Sequence, residues 1–187
     1  MGAEIDVHDL VQAAAAGDSH GWDGLVERFG ALVWSTARAW GLSLEEGADV
    51  AQTTWLRLAE QLGRLRDGHD RIGVWLASTA RQESLRLVVT RVGNHADPGQ
   101  EEPAAPPAAT ATPLEPEVML WRVLRDLPEH CRRLLRVLSA VPPPDQEELA
   151  AALDLKVTEV PAARVACLEA FRYRMANIGI KVDAEDS

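Results

Sequence analysis

SLEEGADVAQTTWLRLAEQL, residues 43–62, is the stretch whose reading sets the fold class. Ser43 followed by Glu46 is a capping box, in which hydroxyl and carboxylate each satisfy a free backbone amide at the start of a helix. Behind it Ala48, Ala51, Trp55, Leu58 and Leu62 recur at steps of three and four, the period of a helix with one buried face. Asp49, Gln52, Thr53 and Leu56 then point away from that face.

The flanking sequence repeats the pattern. Upstream, a first helix over about 5–16 ends near Gly17. A second carries Trp22, Leu25, Val26, Phe29, Leu32, Val33, Ala37 and Trp40 on one stripe and stops at Gly41. Downstream, a fourth helix starts after Asp70 and runs through Trp75, Leu76, Thr79, Ala80 and Leu87 to about Arg91. Few aromatic residues and many Ala, Leu and Arg favour helix over sheet, because these side chains lose little freedom in a helix.

Residues 93–113 break the pattern. They are rich in Pro, Ala and Thr, lack Lys and Arg, and cannot bury a stripe, so they read as a flexible linker. Beyond it a helix over about 115–126 is followed by one that begins after Pro128, a residue suited to a first helical turn, and continues to Ala140. Asp145-Gln146-Glu147-Glu148 is a second capping-box candidate, with Leu149, Ala152 and Leu153 on one face behind it. A break at 154–157 leads into a helix over about 158–176 carrying Val160, Arg164, Cys167, Leu168, Phe171 and Met175. Short helix, tight turn and longer helix form a helix-turn-helix pattern. The predicted fold is all-α: two small helical domains, 5–92 and 114–180, joined by the 93–113 linker.

The formal net charge is −10, which argues against a generic nucleic-acid coat. The distribution is uneven. Residues 1–60 hold three Arg against ten acids, whereas 61–91 hold six Arg against three, so two surfaces with different partners are expected. Cys131 and Cys167 lack metal-ligand or CxxC spacing and read as reduced core residues. The histidines at 8, 20, 69, 95 and 130 form no ligand pair, so no metal and no cofactor is expected. The N-terminus shows no signal peptide and no apolar run is long enough for a membrane span, which predicts a cytoplasmic protein without a membrane partner. An enzyme is disfavoured: there is no Gly-rich phosphate loop and no nucleophile with a plausible base. Glu45, Glu46 and Asp49 are adjacent carboxylates, but acids are expected in the first turns of a helix.

Several of these stretches resemble the extracytoplasmic-function (ECF) sigma factors of the sigma-70 family. Asp9-Leu10-Val11 through Gly17-Asp18, then Trp22-Asp23 and Leu25-Val26-Glu27-Arg28-Phe29, resemble the start of region 2. Asp49-Val50-Ala51-Gln52-Thr53-Thr54-Trp55-Leu56-Arg57-Leu58 resembles the region 2.2 helix that grips the β′ clamp helices of RNA polymerase. Arg71-Ile72-Gly73-Val74-Trp75-Leu76-Ala77 with Thr79-Ala80-Arg81 resembles the helix facing minus-ten promoter DNA. Leu127-Pro128, Cys131-Arg132-Arg133-Leu134-Leu135 and Leu149-Ala150-Ala151-Ala152-Leu153 resemble region 4 more loosely.

The resemblance implies core polymerase, through its β′ clamp helices and β flap, promoter DNA and an anti-sigma factor as partners. It places polymerase binding on Asp49, Gln52, Thr53, Leu56 and Arg57. Segment 63–71 becomes the loop that captures an unstacked promoter base. Arg64, Arg66, Arg71, Arg81, Arg86 and Arg91 become phosphate contacts, and Arg164 and Arg172 become upstream DNA contacts.

Two departures stand beside it. The end of region 2 carries less arginine than such factors often do. Residues 145–174 hold six acids against four bases, with Asp154 in the turn where family members commonly have glycine. The DNA-reading positions of region 4 thus look degenerate. Glu159, at the start of the reading helix, repels phosphate, can accept from cytosine in the major groove, or simply suits the helix dipole. Two functions remain open at this point: a working sigma factor, or a sigma-like regulator that binds polymerase or another partner and has lost promoter recognition.

Overall fold

The computed structural model describes residues 6–65, 71–94 and 122–178. They are helical, with no strand among the described residues. In chain order the helices are α1 (Val7–Ala15), α2 (Ser19–Ala39), α3 (Leu44–Leu65), α4 (Ile72–Asn94), α5 (Glu129–Leu138), α6 (Gln146–Leu153) and α7 (Val160–Asn177). Residues 122–126 add a short helical piece before α5, and Val157–Glu159 form a 3-10 turn before α7.

The starts are local chemistry. Asp6 and Asp18 accept from the amides of His8 and His20, two residues inside α1 and α2. At α3 the Ser43 amide donates to Glu46 Oε2 at 2.7 Å and the Glu46 amide donates to Ser43 Oγ at 3.1 Å. The same reciprocal pair forms at α6 between Asp145 and Glu148, at 3.0 and 2.8 Å. Gly41, at φ +75°, takes the left-handed turn that ends α2 without a Cβ penalty.

The buried face of α3 is turned from the expected one. Val50, Thr54, Leu58 and Leu62 are buried, Ala51 and Trp55 only partly, and Ala48 is exposed. Thr54 looks like a surface residue in sequence, but its hydroxyl donates to the Val50 carbonyl at 2.8 Å and needs no water.

The N-terminal helices bury Leu25, Phe29, Leu32, Val33, Leu58, Ile72 and Leu76 in one core. The core does not stop there. Val137 of α5, Leu149, Ala150 and Ala152 of α6 and Val160 of α7 belong to the same cluster, because α6 packs along α4 and α5 along α2. The C-terminal helices keep only a small cluster of their own: Leu127, Cys131, Leu134 and Cys167. Of the expected linker, 93 and 94 lie at the end of α4, and 95–113 falls outside the described residues.

Cys131 and Cys167 are joined by a disulfide. This corrects the expectation of reduced core thiols. Their separation of 36 residues matches no motif, and only the crossing of α5 and α7 brings them together. His130 also lies beside them: its ligating atom and the two sulfurs are all within 4.8 Å of one another. The expectation that no histidine joins a ligand cluster is corrected to that extent, although the two sulfurs are bonded to each other.

Candidate functional site

The polar face of α3 stands in solvent. Asp49, Gln52 and Leu56 are exposed and fall at steps of three and four, so they form one stripe. Leu56 is 59% exposed, a large apolar side chain among polar neighbours. Thr53 is half-buried beside them. Arg57, the fifth residue of the expected set, is only partly free, because its guanidinium lies 2.8 Å from Glu83 of α4. Glu83 is itself buried, so this ion pair fixes α3 against α4 and holds the stripe in place.

The arginines expected to touch DNA are placed less uniformly. Arg64 is exposed near the end of α3, and Arg66 lies outside the described residues, as do 67–70 of the expected base-capturing loop. Arg86 sits 3.5 Å from Glu83, and Arg91 pairs with Glu46 of the α3 capping box. The Ser43 backbone amide, the Arg91 hydrogen bond and the Arg91 charge hold Glu46 below the ordinary carboxylate range, against a smaller opposing effect of burial. Arg71 and Arg81 face the C-terminal half. Arg81 is 2.9 Å from Asp154, and Arg71 is 3.8 Å from Glu147. Arg164 and Arg172 lie exposed on α7.

Asp154 gives the turn after α6 a use for its acid. It has φ +61°, a left-handed conformation that aspartate tolerates better than most residues. A glycine would adopt the same backbone and leave Arg81 without a partner. The acid excess noted over 145–174 is thus partly directed at α4.

Glu148 tightens the same seam. It is buried, and burial pushes its carboxyl above the ordinary range, assisted by Asp145 and opposed by its backbone hydrogen bond and by Arg28. A Cβ at Gly73 would stand 1.9 Å from Glu148 Oε1 and 2.9 Å from a Phe29 ring carbon. Gly73 is what lets α6 approach α4 this closely.

One basic surface escaped the sequence reading. A cleft of about 630 Å³ lies between α2 and α5, lined among others by Trp34, Arg38, Leu42, Arg132, Arg133 and Arg136. Arg133 stacks over the Trp40 ring at 4.1 Å and pairs with Glu129. Arg136 makes no ion pair among the described residues, and burial together with the nearby Arg38 charge lowers its pKa. The run Arg132-Arg133 with Arg136 was the available signal. Arg38 lies about a hundred positions away, so the cluster exists only in the folded chain. Its apolar walls and unneutralised guanidinium suit an acidic, amphipathic segment.

Residues 25–91, from within α2 to near the end of α4, match the family model described as Sigma-70 region 2. This span contains the α3 stripe and the arginines of α4. No curated protein matches the sequence. Among solved structures, that of CnrH in complex with the cytosolic domain of CnrY superposes with a TM-score of 0.57, covering 92% of this chain and 99% of that one at 20% identity. At that identity the likeness is one of fold. No described helix is long and apolar enough to cross a membrane.

Proposed function

We propose that this chain is an ECF-type sigma factor, a non-enzymatic protein that binds core RNA polymerase and directs promoter recognition, melting and initiation in the cytoplasm. The observation that carries the reading is the region 2 match, which falls on residues whose α3 presents an exposed polar stripe with Leu56 at its centre. An apolar side chain amid polar ones, held by a half-buried ion pair behind it, is the pattern of an interface anchor. In this reading Asp49, Gln52, Thr53 and Leu56 meet the β′ clamp helices, and Arg57 positions them through Glu83. Arg64, Arg66, Arg71, Arg81, Arg86 and Arg91 serve promoter DNA. The C-terminal helices, with Arg164 and Arg172, face the β flap and upstream DNA.

The seam adds a condition. Arg81, mostly covered and paired with Asp154, meets promoter phosphate only after α6 leaves α4, so the described arrangement is a closed form that polymerase binding opens. An anti-sigma partner fits the same picture, because the similarly folded CnrH is seen in complex with the cytosolic domain of another protein, CnrY. The arginine cleft between α2 and α5 is the surface we assign to it. The second reading, a regulator that binds polymerase or another partner without promoter recognition, draws support from the acid partners that Arg71, Arg81, Arg86 and Arg91 already have.

Run-off transcription with purified core polymerase, together with a pull-down on it, separates the two. The sigma reading expects specific transcripts that disappear when Gln52 and Leu56 are replaced by lysine. Polymerase binding without transcripts across a genomic promoter library favours the regulator. Absence of polymerase binding defeats the sigma reading and leaves only a regulator that binds another partner.

A further inference from the structure

We propose that Cys131 and Cys167 are a reversible thiol–disulfide switch that clamps α7 onto α5. The two are the only cysteines of the chain, and each is the other's partner. They are buried at 3% and 0% exposure and make up half of the C-terminal helices' own four-residue core. A core so small gains little from burial alone, so the state of this bond weighs heavily on how firmly α7 is held. The compartment is the point at which the inference rests on the proposed function. A factor that works with RNA polymerase operates in reducing surroundings, where disulfides are transient and sensing rather than permanent.

The surroundings of the pair suit exchange in both directions. His130 is exposed, and its ring offers a nitrogen within 4.8 Å of both sulfurs. An imidazole at that range can take the thiol proton and supply the thiolate, the form that reacts. Cys131 lies in the first turn of α5, where helices open most readily, so it is the sulfur that a reagent reaches first. The Cα atoms are 5.1 Å apart. Leu127 and Leu134, packed beside the pair, keep the thiols near each other after reduction, which makes re-oxidation an intramolecular step.

The oxidant is a low-molecular-weight disulfide, RSSR. The Cys131 thiol gives its proton to His130, and its sulfur attacks one sulfur of RSSR, expelling RS⁻. The Cys167 sulfur then attacks Cys131 in the mixed disulfide and expels the second RS⁻. Two electrons pass from the cysteines to RSSR, which leaves as two thiols carrying the two protons. Excess thiol runs the steps backwards. The consequence lies in α7, which carries Arg164 and Arg172. Oxidised, α7 is tied to α5; reduced, it depends on Val160 and the remnant of the small core.

The test needs neither polymerase nor DNA, so it fails or succeeds independently of the sigma reading. The full chain is equilibrated anaerobically in glutathione buffers of varied ratio, and free thiols are counted by alkylation and mass shift. Half-conversion inside the range of ratios found in reducing compartments is expected. A disulfide that survives about a thousandfold excess of reduced glutathione overturns the proposal, as does a pair that stays reduced in excess glutathione disulfide. On reduction, amide exchange in α7 should quicken at least tenfold and the melting temperature should fall by about 5–15 °C. Unchanged protection in α7 overturns the clamp. Because wild-type protein is reduced and re-oxidised in place, the result stands even where C131S does not fold. His130→Ala should slow re-oxidation several-fold at pH 7 and little above pH 9, where thiolate forms unaided. A variant-to-wild-type rate ratio that is the same at both pH values overturns the role given to His130.

Discussion

The N-terminal and C-terminal helices of this molecule are held by different means. α2, α3 and α4 bury large side chains against one another, and α4 and α2 also take α6 and α5 onto their outer faces. α5, α6 and α7 do not. Their own cluster has four buried members, two of them the bonded cysteines, while Leu149, Ala152 and Val160 belong to the core begun by the other half. A short helical unit that lacks a core must borrow surface or be stapled, and this one does both. The region that matches the family model is also the one that supplies most of the shared core, and the region with the unusual acids leans on it.

The largest expected effects probe that borrowed core. Leu149→Ala, at a side chain 2% exposed, should cost about 2–5 kcal/mol. Denaturant unfolding followed by a probe in each half should then split into two transitions. A single coincident transition breaks the comparison. Removing the disulfide comes next. For a loop of 36 residues the loss should be about 4 kcal/mol, and amide exchange should place it in α5 and α7 rather than in α3.

Smaller changes sharpen the seam itself. Gly73→Ala should destabilise the contact of α6 with α4 by roughly 1–2 kcal/mol, since its methyl group runs into the Glu148 carboxylate and Phe29. Adding Glu148→Ala should recover part of the loss in a double-mutant cycle. Strict additivity would place the strain elsewhere. The smallest effect is one of pH. Because the folded-state pKa of Glu148 is raised, its ionised form opposes folding above that pKa. Stability from this site therefore rises as pH falls through the raised value toward the unfolded one. Glu148→Gln should flatten that slope and, at neutral pH, change stability by less than about 1 kcal/mol. An unaltered pH profile assigns the slope to other groups, of which Glu46 has the opposite sign: its lowered pKa gives stability that is lost as pH falls.

Much of the candidate site was legible because α3 announces itself. Its capping box sets the first turn, and the exposed positions of Asp49, Gln52 and Leu56 follow from counting. Arg57 was legible only in part, because Glu83, its partner, lies on another helix. The arginines of α4 were read as a free basic surface. In the structure Arg81, Arg86 and Arg91 all have acid partners, and for Arg81, as for Arg71 just before the helix, that partner comes from beyond residue 145. The shift in the buried face of α3 has a local cause: Thr54 satisfies its own hydroxyl within the helix, so a polar residue passes into the core unremarked.

From the sequence alone came the helices, their caps and stops, the order of the two halves and the solvent-facing stripe of α3. These rest on interactions within four residues of chain, where periodicity and hydrogen-bond chemistry are readable directly. Tertiary structure decided the rest: that the halves share a core, that Asp154 and Glu147 answer Arg81 and Arg71, that five arginines from α2, the 122–126 helical piece and α5 line one cleft, and that Cys131 meets Cys167. Each of these joins residues tens of positions apart. Such contacts depend on how helices cross, and crossing is set by the fit of whole faces, which no local pattern encodes.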